Sequence, residues 1–184
     1  LKPGGELYLS DVFAGRRLPL NLQQHKVLLE ERLGGALYEG DFELLMQKVG
    51  FNDCRMISKQ PLNIEDKALQ TLTNNIQFYS VTVRSFKLKL ESRRENYAQF
   101  ARYLGTIAQS PDSFKLDGQL QFKAELPVPI DGNTATILKR SRLARHFKVH
   151  GGTKLHYGSF NDICNRTCSD QPDPANTKSS MKGC

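Results

Sequence analysis

The stretch that most constrains the fold is the N-terminal LKPGGELYLSD, in which a basic-Pro-Gly-Gly turn leads directly into an apolar strand. That strand ends at an acidic residue, Asp11, and in open α/β sheets ligands bind beyond the carboxyl ends of the strands. Asp11 either contacts a ligand there or caps nearby backbone. Because the chain enters a strand at once, with no initiating Met, we expect the second half of a larger α/β domain.

Composition narrows the class of protein. The chain has 184 residues, 39% of them hydrophobic, which is enough for a core of ordinary size. No apolar run approaches the roughly 20 residues that cross a bilayer and no signal peptide is recognisable, so we expect no membrane partner. Four cysteines do not form a dense disulfide framework, and we therefore expect reduced thiols and a cytoplasmic location.

Residues 1–92 alternate between strand and helix patterns. Periodicity predicts strands over residues 5–13, 53–58 and 76–90, and helices over 21–33, 41–49 and 65–73. Asn21 and Asp41 are the expected N-caps of the first two helices. Gly50 is expected to end the second helix in a left-handed conformation, with Phe51 folded back on the last turn. The apolar side chains of that second helix form one stripe, which consists of Phe42, Leu45, Met46 and Val49.

The pattern changes after residue 92. A strand is predicted over 103–108, and from 114 to 130 apolar or small residues occupy the even positions without a break. This alternation predicts one long strand with a wet face, bent or bulged at Gly118, and argues against a tight hairpin at that point. Asp131 is expected to cap a basic helix over 134–147, after which periodicity disappears.

These changes divide the chain into three predicted parts. Residues 1–92 would be half of a doubly wound α/β domain, and residues 93–150 would be a small β-rich domain with a closing helix. Residues 151–184 are rich in Gly, Ser, Asn, Asp, Pro and Lys and are predicted to be a mobile tail. That tail carries Cys164, Cys168 and Cys184.

Five stretches together resemble one family, the arsenite methyltransferases, which are class I S-adenosylmethionine-dependent enzymes. They are LKPGGELYLSDVF, HKVLLEERLGGALY, FELLMQKVGF, FYSVTVRSFK and DGNTATILKRSRLARHF. The resemblance covers residues 1 to about 150, and LGGALY and the last stretch are its most specific parts. It implies an α/β fold, in which the C-terminal half of a class I (Rossmann-like) methyltransferase sheet, with its last strand inserted antiparallel, precedes a small α+β domain.

The resemblance also implies chemistry. Thiolates would hold trivalent arsenic, whose lone pair attacks the sulfonium methyl group, so that catalysis is mainly alignment. S-adenosylmethionine would be bound mainly by an N-terminal half that this chain lacks, so we assign no cofactor-binding or catalytic residue and expect the chain alone to be inactive. The expected substrate is a small molecule, arsenite or its thiol conjugates, and the full-length protein is expected to be a monomer.

The sequence departs from the family at two positions where the family has cysteines. Arg32 stands immediately before LGGALY, at the first of these positions. Ile76 stands shortly before FYSVTVRSFK, at the second. Neither side chain offers a lone pair to arsenic. We therefore assign the neighbourhood of the substrate, without ligand roles, to Arg32, Gly34, Gly35 and Ile76.

Three hypotheses accommodate those substitutions. Arsenic is bound by cysteines of the N-terminal half, the enzyme methylates another small acceptor, or the protein is a catalytically silent paralogue that acts as a binding module. Arg32 beside the Gly-Gly turn suits an acceptor that carries a carboxylate or phosphate. Equally, it is a solvated residue at the negative pole of a helix dipole.

A zinc site near the C-terminus is a weaker possibility. His146 and His150 are separated by three residues, as are Cys164 and Cys168. The two histidines would share a helix face and could chelate a tetrahedral ion with two thiolates. The order of a zinc finger is reversed, however, and the cysteines lie in a polar tail, so we assign no metal site. Cys54 lies in a strand pattern and is expected to be a small buried hydrophobe.

The net charge of +7 and the basic helix raise nucleic-acid binding as a rival function. No aromatic stacking motif or reading helix accompanies the charges. Charge runs usually stay in water, and we expect no nucleic-acid partner.

Overall fold

A four-stranded mixed sheet organises the N-terminal part of the protein, in a computed structural model that describes residues 1–74 and 76–160. Its strands are β1 (Glu6–Ala14), β2 (Leu37–Tyr38), β3 (Cys54–Leu62) and β4 (Phe78–Phe86), in the order β2-β1-β4-β3. β4 is antiparallel to both β1 and β3, and it pairs with β1 over the full length of both strands. The predicted antiparallel insertion of the last strand is confirmed.

Two short helices replace the single helix that was predicted after β1. They are α1 (Leu20–Gln23) and α2 (Lys26–Glu30). His25 has extended backbone angles (φ −72°, ψ 122°) and separates them, and Pro19 is the N-cap residue of α1 in place of the predicted Asn21. α2 then ends before the Gly34-Gly35 turn, as expected.

Helix α3 (Glu39–Lys48) begins earlier than predicted, with Tyr38 at the N-cap. Asp41 lies in its first turn, where both carboxylate oxygens accept hydrogen bonds from Arg17 at 2.6 and 2.7 Å. Gly50 adopts φ 87° and Phe51 N donates to Met46 O at 2.8 Å, so the predicted C-terminal cap is confirmed.

The apolar stripe predicted on α3 is only partly buried. Met46 is 7% exposed and Phe42 packs edge-on against Phe13, with ring centroids 5.0 Å apart. Leu45 and Val49 are 48% and 57% exposed. Periodicity alone therefore predicts the helix, but it does not predict which apolar side chains of the helix are buried.

The second part of the protein holds two small sheets around one apolar core. Its strands are β5 (Gln99–Tyr103), β6 (Ser113–Lys115), β7 (Gln121–Lys123), β8 (Pro127–Ile130) and β9 (Phe147–His150). β8, β5 and β9 form one antiparallel sheet, and β6 and β7 form a hairpin. Helix α5 (Gly132–Arg140) and a 3₁₀ helix (Arg142–His146) connect β8 to β9. The remaining helix, α4 (Lys67–Leu72), belongs to the first part and precedes β4.

The prediction of one long strand over residues 114–130 is wrong. The chain reverses at Asp117, whose Oδ1 accepts hydrogen bonds from Gln119 N and Leu120 N at 2.9 and 2.8 Å. Phe114 pairs with Phe122 across the hairpin, and both are buried. The alternation persists through the turn because Phe114, Leu116 and Phe122 all face the same core on either side of it.

The closing helix is shorter than predicted. Asp131 caps it as expected, since its Oδ1 accepts from Thr134 N at 2.8 Å. α5 ends at Arg140, and the chain continues as the 3₁₀ helix and β9 instead of extending the helix to Phe147. The inner face of α5 is apolar, with Ile137 and Leu138 fully buried.

Residues 151–160 fall in the segment predicted as a tail, and in the structure they contact the start of the second part. Asn96 N donates to Gly158 O, and Tyr157 N donates to Asn96 O, both at 2.8 Å. His156 Nε2 lies 3.0 Å from Glu95 Oε2. The rest of the predicted tail, with Cys164, Cys168 and Cys184, lies outside the described residues. Within residues 1–74 and 76–160, no helix is long and apolar enough to cross a membrane.

Candidate functional site

The turn after α2 presents Arg32 at the surface. Arg32 has φ 60° and is exposed, while Leu33 N and Gly34 N both donate to Leu28 O, at 2.7 and 2.8 Å. A non-glycine residue in the left-handed region is uncommon, and here the two following hydrogen bonds enforce it. In this turn the side chain of Arg32 is exposed to solvent and the side chain of Leu33 is buried in the core.

Gly34 is constrained by close packing. A Cβ at Gly34 would lie 3.1 Å from both Gln23 O and Leu29 Cδ2, whereas a Cβ at Gly35 would have no neighbour within 4 Å. Gly34 therefore permits the approach of α1 to the turn, and Gly35 is open. These contacts are structural and do not indicate a phosphate cradle.

Ile76 lies on the opposite wall of the same apolar cluster. It is 5% exposed and packs in a cluster made of Ala14, Leu18, Leu22, Leu28, Leu33, Ala36, Ile76 and Phe78. Ile76 also lines a cavity of about 330 Å³, together with Thr73 and Gln77. The structure thus brings Leu33 and Ile76 into one region, with Arg32 at its exposed rim.

Among the described residues, this region is apolar and contains no cysteine. The positions occupied by Arg32 and Ile76 offer one permanent cation and one hydrocarbon side chain. In the described residues the free cysteine is Cys54, on β3. Its Sγ lies 3.1 Å from Ser85 Oγ, and burial, the largest effect, raises the pKa of its thiol. Cys54 is part of neither the Ile76 cluster nor the cavity beside it.

A buried ionic network, missed by the sequence analysis, joins the two parts of the protein. Arg55 on β3 is fully buried and donates to Asp53 Oδ2 at 2.7 Å and to Asp117 Oδ2 at 3.0 Å. Asp131 Oδ1 lies 3.7 Å from Arg55 Nη2. Burial lowers the pKa of Arg55, but the three carboxylates more than offset it, so the net pKa is raised. The available signal was the i, i+2 pair Asp53 and Arg55, which a strand places on one face.

Arg84 makes a second connection from β4. Its Nη1 donates to Lys115 O and Leu116 O at 3.1 and 2.8 Å, and its Nε lies 2.8 Å from Glu6 Oε1. Arg142 also reaches Glu6, with Nε 2.5 Å from Oε2. The sheet and the β6–β7 hairpin are therefore held together by charged groups as well as by apolar contacts.

Asp11 and the glycine pairs make local backbone contacts. The strand does not end at Asp11 as expected, because β1 continues to Ala14 and Asp11 pairs with Val81 inside it. Asp11 is exposed and its Oδ1 accepts from Val12 N at 2.8 Å. Gly4 has φ 80°, and a Cβ there would lie 2.7 Å from Arg140 O. Within the described part of the chain, the glycine pairs serve turns and close packing, and no glycine-rich loop forms a nucleotide cradle.

The two histidines of the considered zinc site do not share a helix face. His146 ends the 3₁₀ helix, with Nδ1 2.7 Å from Thr106 Oγ1. His150 ends β9 and stacks on Phe100, with ring centroids 4.9 Å apart. Cys164 and Cys168 lie outside the described residues. Across residues 1–74 and 76–160, no group of three or more His, Cys, Asp or Glu side chains could hold a metal ion.

Comparisons with known proteins agree on one family. A profile of the family described as "Arsenite methyltransferase C-terminal domain" matches residues 96–182. Arsenite methyltransferase from Aquipseudomonas alcaligenes is 45% identical over 161 residues, which is 87% of this chain and 46% of the relative. The human arsenite methyltransferase is 37% identical over 156 residues, which is 84% of this chain and 41% of the relative.

A solved structure agrees with these sequence matches. It is the crystal structure of an arsenic(III) S-adenosylmethionine methyltransferase from Chlamydomonas reinhardtii, with a TM-score of 0.82 and 42% identity. The match covers 87% of this chain and 54% of that one, and it confirms the predicted fold class. The chain spans a little under half the length of the curated relatives, 46% and 41% of the two described above.

Proposed function

The chain belongs to the arsenite methyltransferase family, as its C-terminal portion, and we propose that the protein of which it is part transfers a methyl group from S-adenosylmethionine to trivalent arsenic. The observation that carries this proposal is the fold match at 42% identity over both the sheet and the small domain. The proposed substrate is arsenite or a thiol conjugate of arsenite. Because free thiolates are the natural ligands of trivalent arsenic, we propose a reducing, cytoplasmic setting. We also propose that the full-length enzyme is a monomer.

We propose that the described residues do not by themselves form the site of the methyl donor. Gly4 is held in a positive-φ turn against Arg140 O, and Gly34 is packed against Gln23 O. We propose that S-adenosylmethionine is bound mainly by residues outside this chain, while the chain supplies the closing strands and the apolar wall around Ile76.

The arsenic ligands are also proposed to lie outside the described residues. Arg32 is exposed on a left-handed turn, and Ile76 is 5% exposed within a hydrocarbon cluster. Cys54 is engaged with Ser85 on a different part of the sheet. Trivalent arsenic bound near the Leu33 and Ile76 wall would therefore take its thiolates from other segments of the protein, and this wall would exclude water from the reacting atoms.

A chimera tests the proposal. The corresponding half of the Chlamydomonas enzyme is replaced by this 184-residue chain, and methylated arsenic is measured by chromatography with arsenite and S-adenosylmethionine. We expect methylation, because the two halves share a fold and 42% identity. Donor binding by the chimera, measured calorimetrically, is the control for correct assembly.

A second candidate function follows from Arg32. Its guanidinium is exposed and forms no ion pair within the described residues, so it could bind an anionic methyl acceptor. In the chimera, Arg32→Cys with Ile76→Cys distinguishes the cases. If the parent chimera binds donor but methylates no arsenic, and the double variant does, then this chain serves another acceptor. If the parent chimera and the double variant both bind donor and neither methylates arsenic, the chain is a binding module.

A further inference from the structure

A second cavity lies along α5 and shares no lining residue with the cavity beside Ile76. It measures about 360 Å³, within the range of small-molecule sites. One face of α5, from Gly132 to Arg140, forms one wall, and residues 89–91 form another. Tyr97, Gln99 and Thr153 complete it. We call this the α5 cavity.

Three cations border the α5 cavity without partners. Lys139 and Arg140 come from the last turn of α5, and Lys89 comes from the segment after β4. In the described part of the chain none of them forms an ion pair or a side-chain hydrogen bond. The carboxylate on this rim is that of Glu91, and it already accepts a hydrogen bond from Tyr97 Oη at 2.6 Å. The rim therefore carries an excess of positive charge.

A helix end alone does not explain this arrangement. Cations in the last turn of a helix are favoured by its dipole, which accounts for Lys139 and Arg140 on their own. Lys89 belongs to a different element and lines the same cavity, so cations from two elements border one space. All three side chains are exposed, and a bound anion would reduce their mutual repulsion.

Gln99, one of the residues that line the cavity, has an unsatisfied acceptor. Gln99 is 3% exposed, and its Oε1 has no hydrogen-bond donor among the described residues. A buried acceptor without a donor typically costs about 1 to 3 kcal/mol. Gly151, with φ 89°, packs against Gln99, since a Cβ at Gly151 would lie 3.2 Å from Gln99 Cγ. The side chain is therefore confined beside the cavity it lines.

The walls of the cavity are preorganised. Asn133 donates to Glu91 O at 3.0 Å and accepts from Glu91 N at 2.8 Å, which fixes the 89–91 segment to α5. A Cβ at Gly132 would lie 2.8 Å from Tyr97 Cε2, so the aromatic ring is in close contact with the helix. Little ordering would be needed on binding, and preorganisation favours affinity.

We propose that the α5 cavity binds a small organic phosphate. Its phosphoryl oxygens would contact Lys89, Lys139 and Arg140, and a hydroxyl or amino group would donate to Gln99 Oε1. A phosphate dianion offers three charged acceptor oxygens for three cations, whereas a carboxylate offers two. The site is independent of the methyl-transfer chemistry proposed above.

The test is a titration of the ¹⁵N-labelled 184-residue chain with glycerol 3-phosphate, followed by amide chemical shifts. We expect saturable shifts in residues 89–91 and 132–140. Lys139→Gln and Arg140→Gln should each weaken binding about tenfold, the usual effect of losing one charge-assisted hydrogen bond. Both side chains are exposed, so these variants should remain folded.

Matched controls separate a built site from general charge attraction. Lys148→Gln removes an exposed lysine on β9, outside the cavity, and should leave affinity unchanged. Gln99→Met should weaken glycerol 3-phosphate but not inorganic phosphate, which has no group to reach Oε1. Equal losses from Lys148→Gln and Lys139→Gln, or shifts that do not saturate, would overturn the proposal. Glycerate binding as tightly as glycerol 3-phosphate would contradict the phosphate assignment.

Discussion

Arg55 Nη1 donates to Asp117 Oδ2 at 3.0 Å, in an ion pair that joins β3 to the turn of the β6–β7 hairpin and is almost fully excluded from water. The residues are 62 positions apart in the chain. Asp53 and Asp131 complete the surroundings of the guanidinium. A buried cation thus ties the hairpin to the sheet, in addition to the hydrogen bonds that Arg84 donates to Lys115 O and Leu116 O.

Removing that cation should destabilise the protein strongly. Arg55→Met removes the shared counter-ion of three buried carboxylates, although Arg94 remains 3.9 Å from Asp53. Breaking a buried pair in this way typically costs about 3 to 5 kcal/mol. Urea unfolding followed by circular dichroism measures the free energy of unfolding. Arg17→Met is the matched control, because Arg17 pairs with Asp41 at the surface and is 72% exposed. A similar loss of unfolding free energy in both variants would show that the buried ion pairs stabilise the protein no more than a surface ion pair does.

The Gly118 position should not tolerate a side chain. Gly118 N donates to Met56 O at 2.7 Å, and a Cβ would lie 3.1 Å from the same oxygen. In Gly118→Ala, Met56 O must move by a few tenths of an ångström against the hydrogen bond that holds it. We expect a loss of about 1 to 3 kcal/mol, as for other overpacked sites. Gly152→Ala, where a Cβ has no neighbour within 4 Å, should have little effect on the midpoint of thermal unfolding. A neutral Gly118→Ala would contradict the close docking of the hairpin.

The thiol of Cys54 should react slowly at neutral pH. Burial raises its pKa above the ordinary value, so less of the reactive thiolate is present. The native protein should be alkylated at Cys54 more slowly than the urea-unfolded protein, as measured by peptide mass spectrometry over a pH series. Equal native and unfolded rates would contradict the burial effect.

The same pKa shift should affect stability. A thiol with a raised pKa in the folded state contributes stability that is complete below the pKa of the unfolded chain, near 8.5. That contribution is lost as pH rises through the folded pKa. Cys54→Ala should reduce the fall in unfolding free energy above about pH 8.5, relative to the parent protein. An unchanged alkaline pH dependence in Cys54→Ala would contradict this assignment.

The isolated 184-residue chain should not bind S-adenosylmethionine. The glycines of its described part serve turns and close packing, as at Gly4 and Gly34. Isothermal titration calorimetry should therefore detect no saturable heat. The chimera with the Chlamydomonas donor-binding half provides the positive control. Micromolar binding by the isolated chain would show that it contains a donor site.

Local pattern was sufficient for several features of the fold. Gly50 and Asp131 were assigned to helix ends from residue type and position, and the structure confirms both caps. Such features depend on the chemistry of a few consecutive residues. The predicted helix at residues 21–33 failed because the backbone at His25 is extended, which no periodicity reveals.

The location of the substrate site at Arg32 and Ile76 stays a prediction. Arg32 and Ile76 were selected through a family resemblance, and the structure brings Ile76 into one cluster with Leu33, next to Arg32. The sequence alone shows Arg and Ile at the two positions where the family has cysteines. The exposure of Arg32 and the apolar seal around Ile76 required coordinates, since burial depends on distant segments.

Family membership and the order of elements could be obtained from the printed sequence alone, because motifs and hydrophobic periods are local properties. The β6–β7 hairpin could not, because alternation is preserved when a strand reverses through a turn that keeps the same core face. The Arg55 network and the α5 cavity were equally invisible. Both arise where segments far apart in the chain converge, and only the folded chain establishes which charges meet partners and which remain without them.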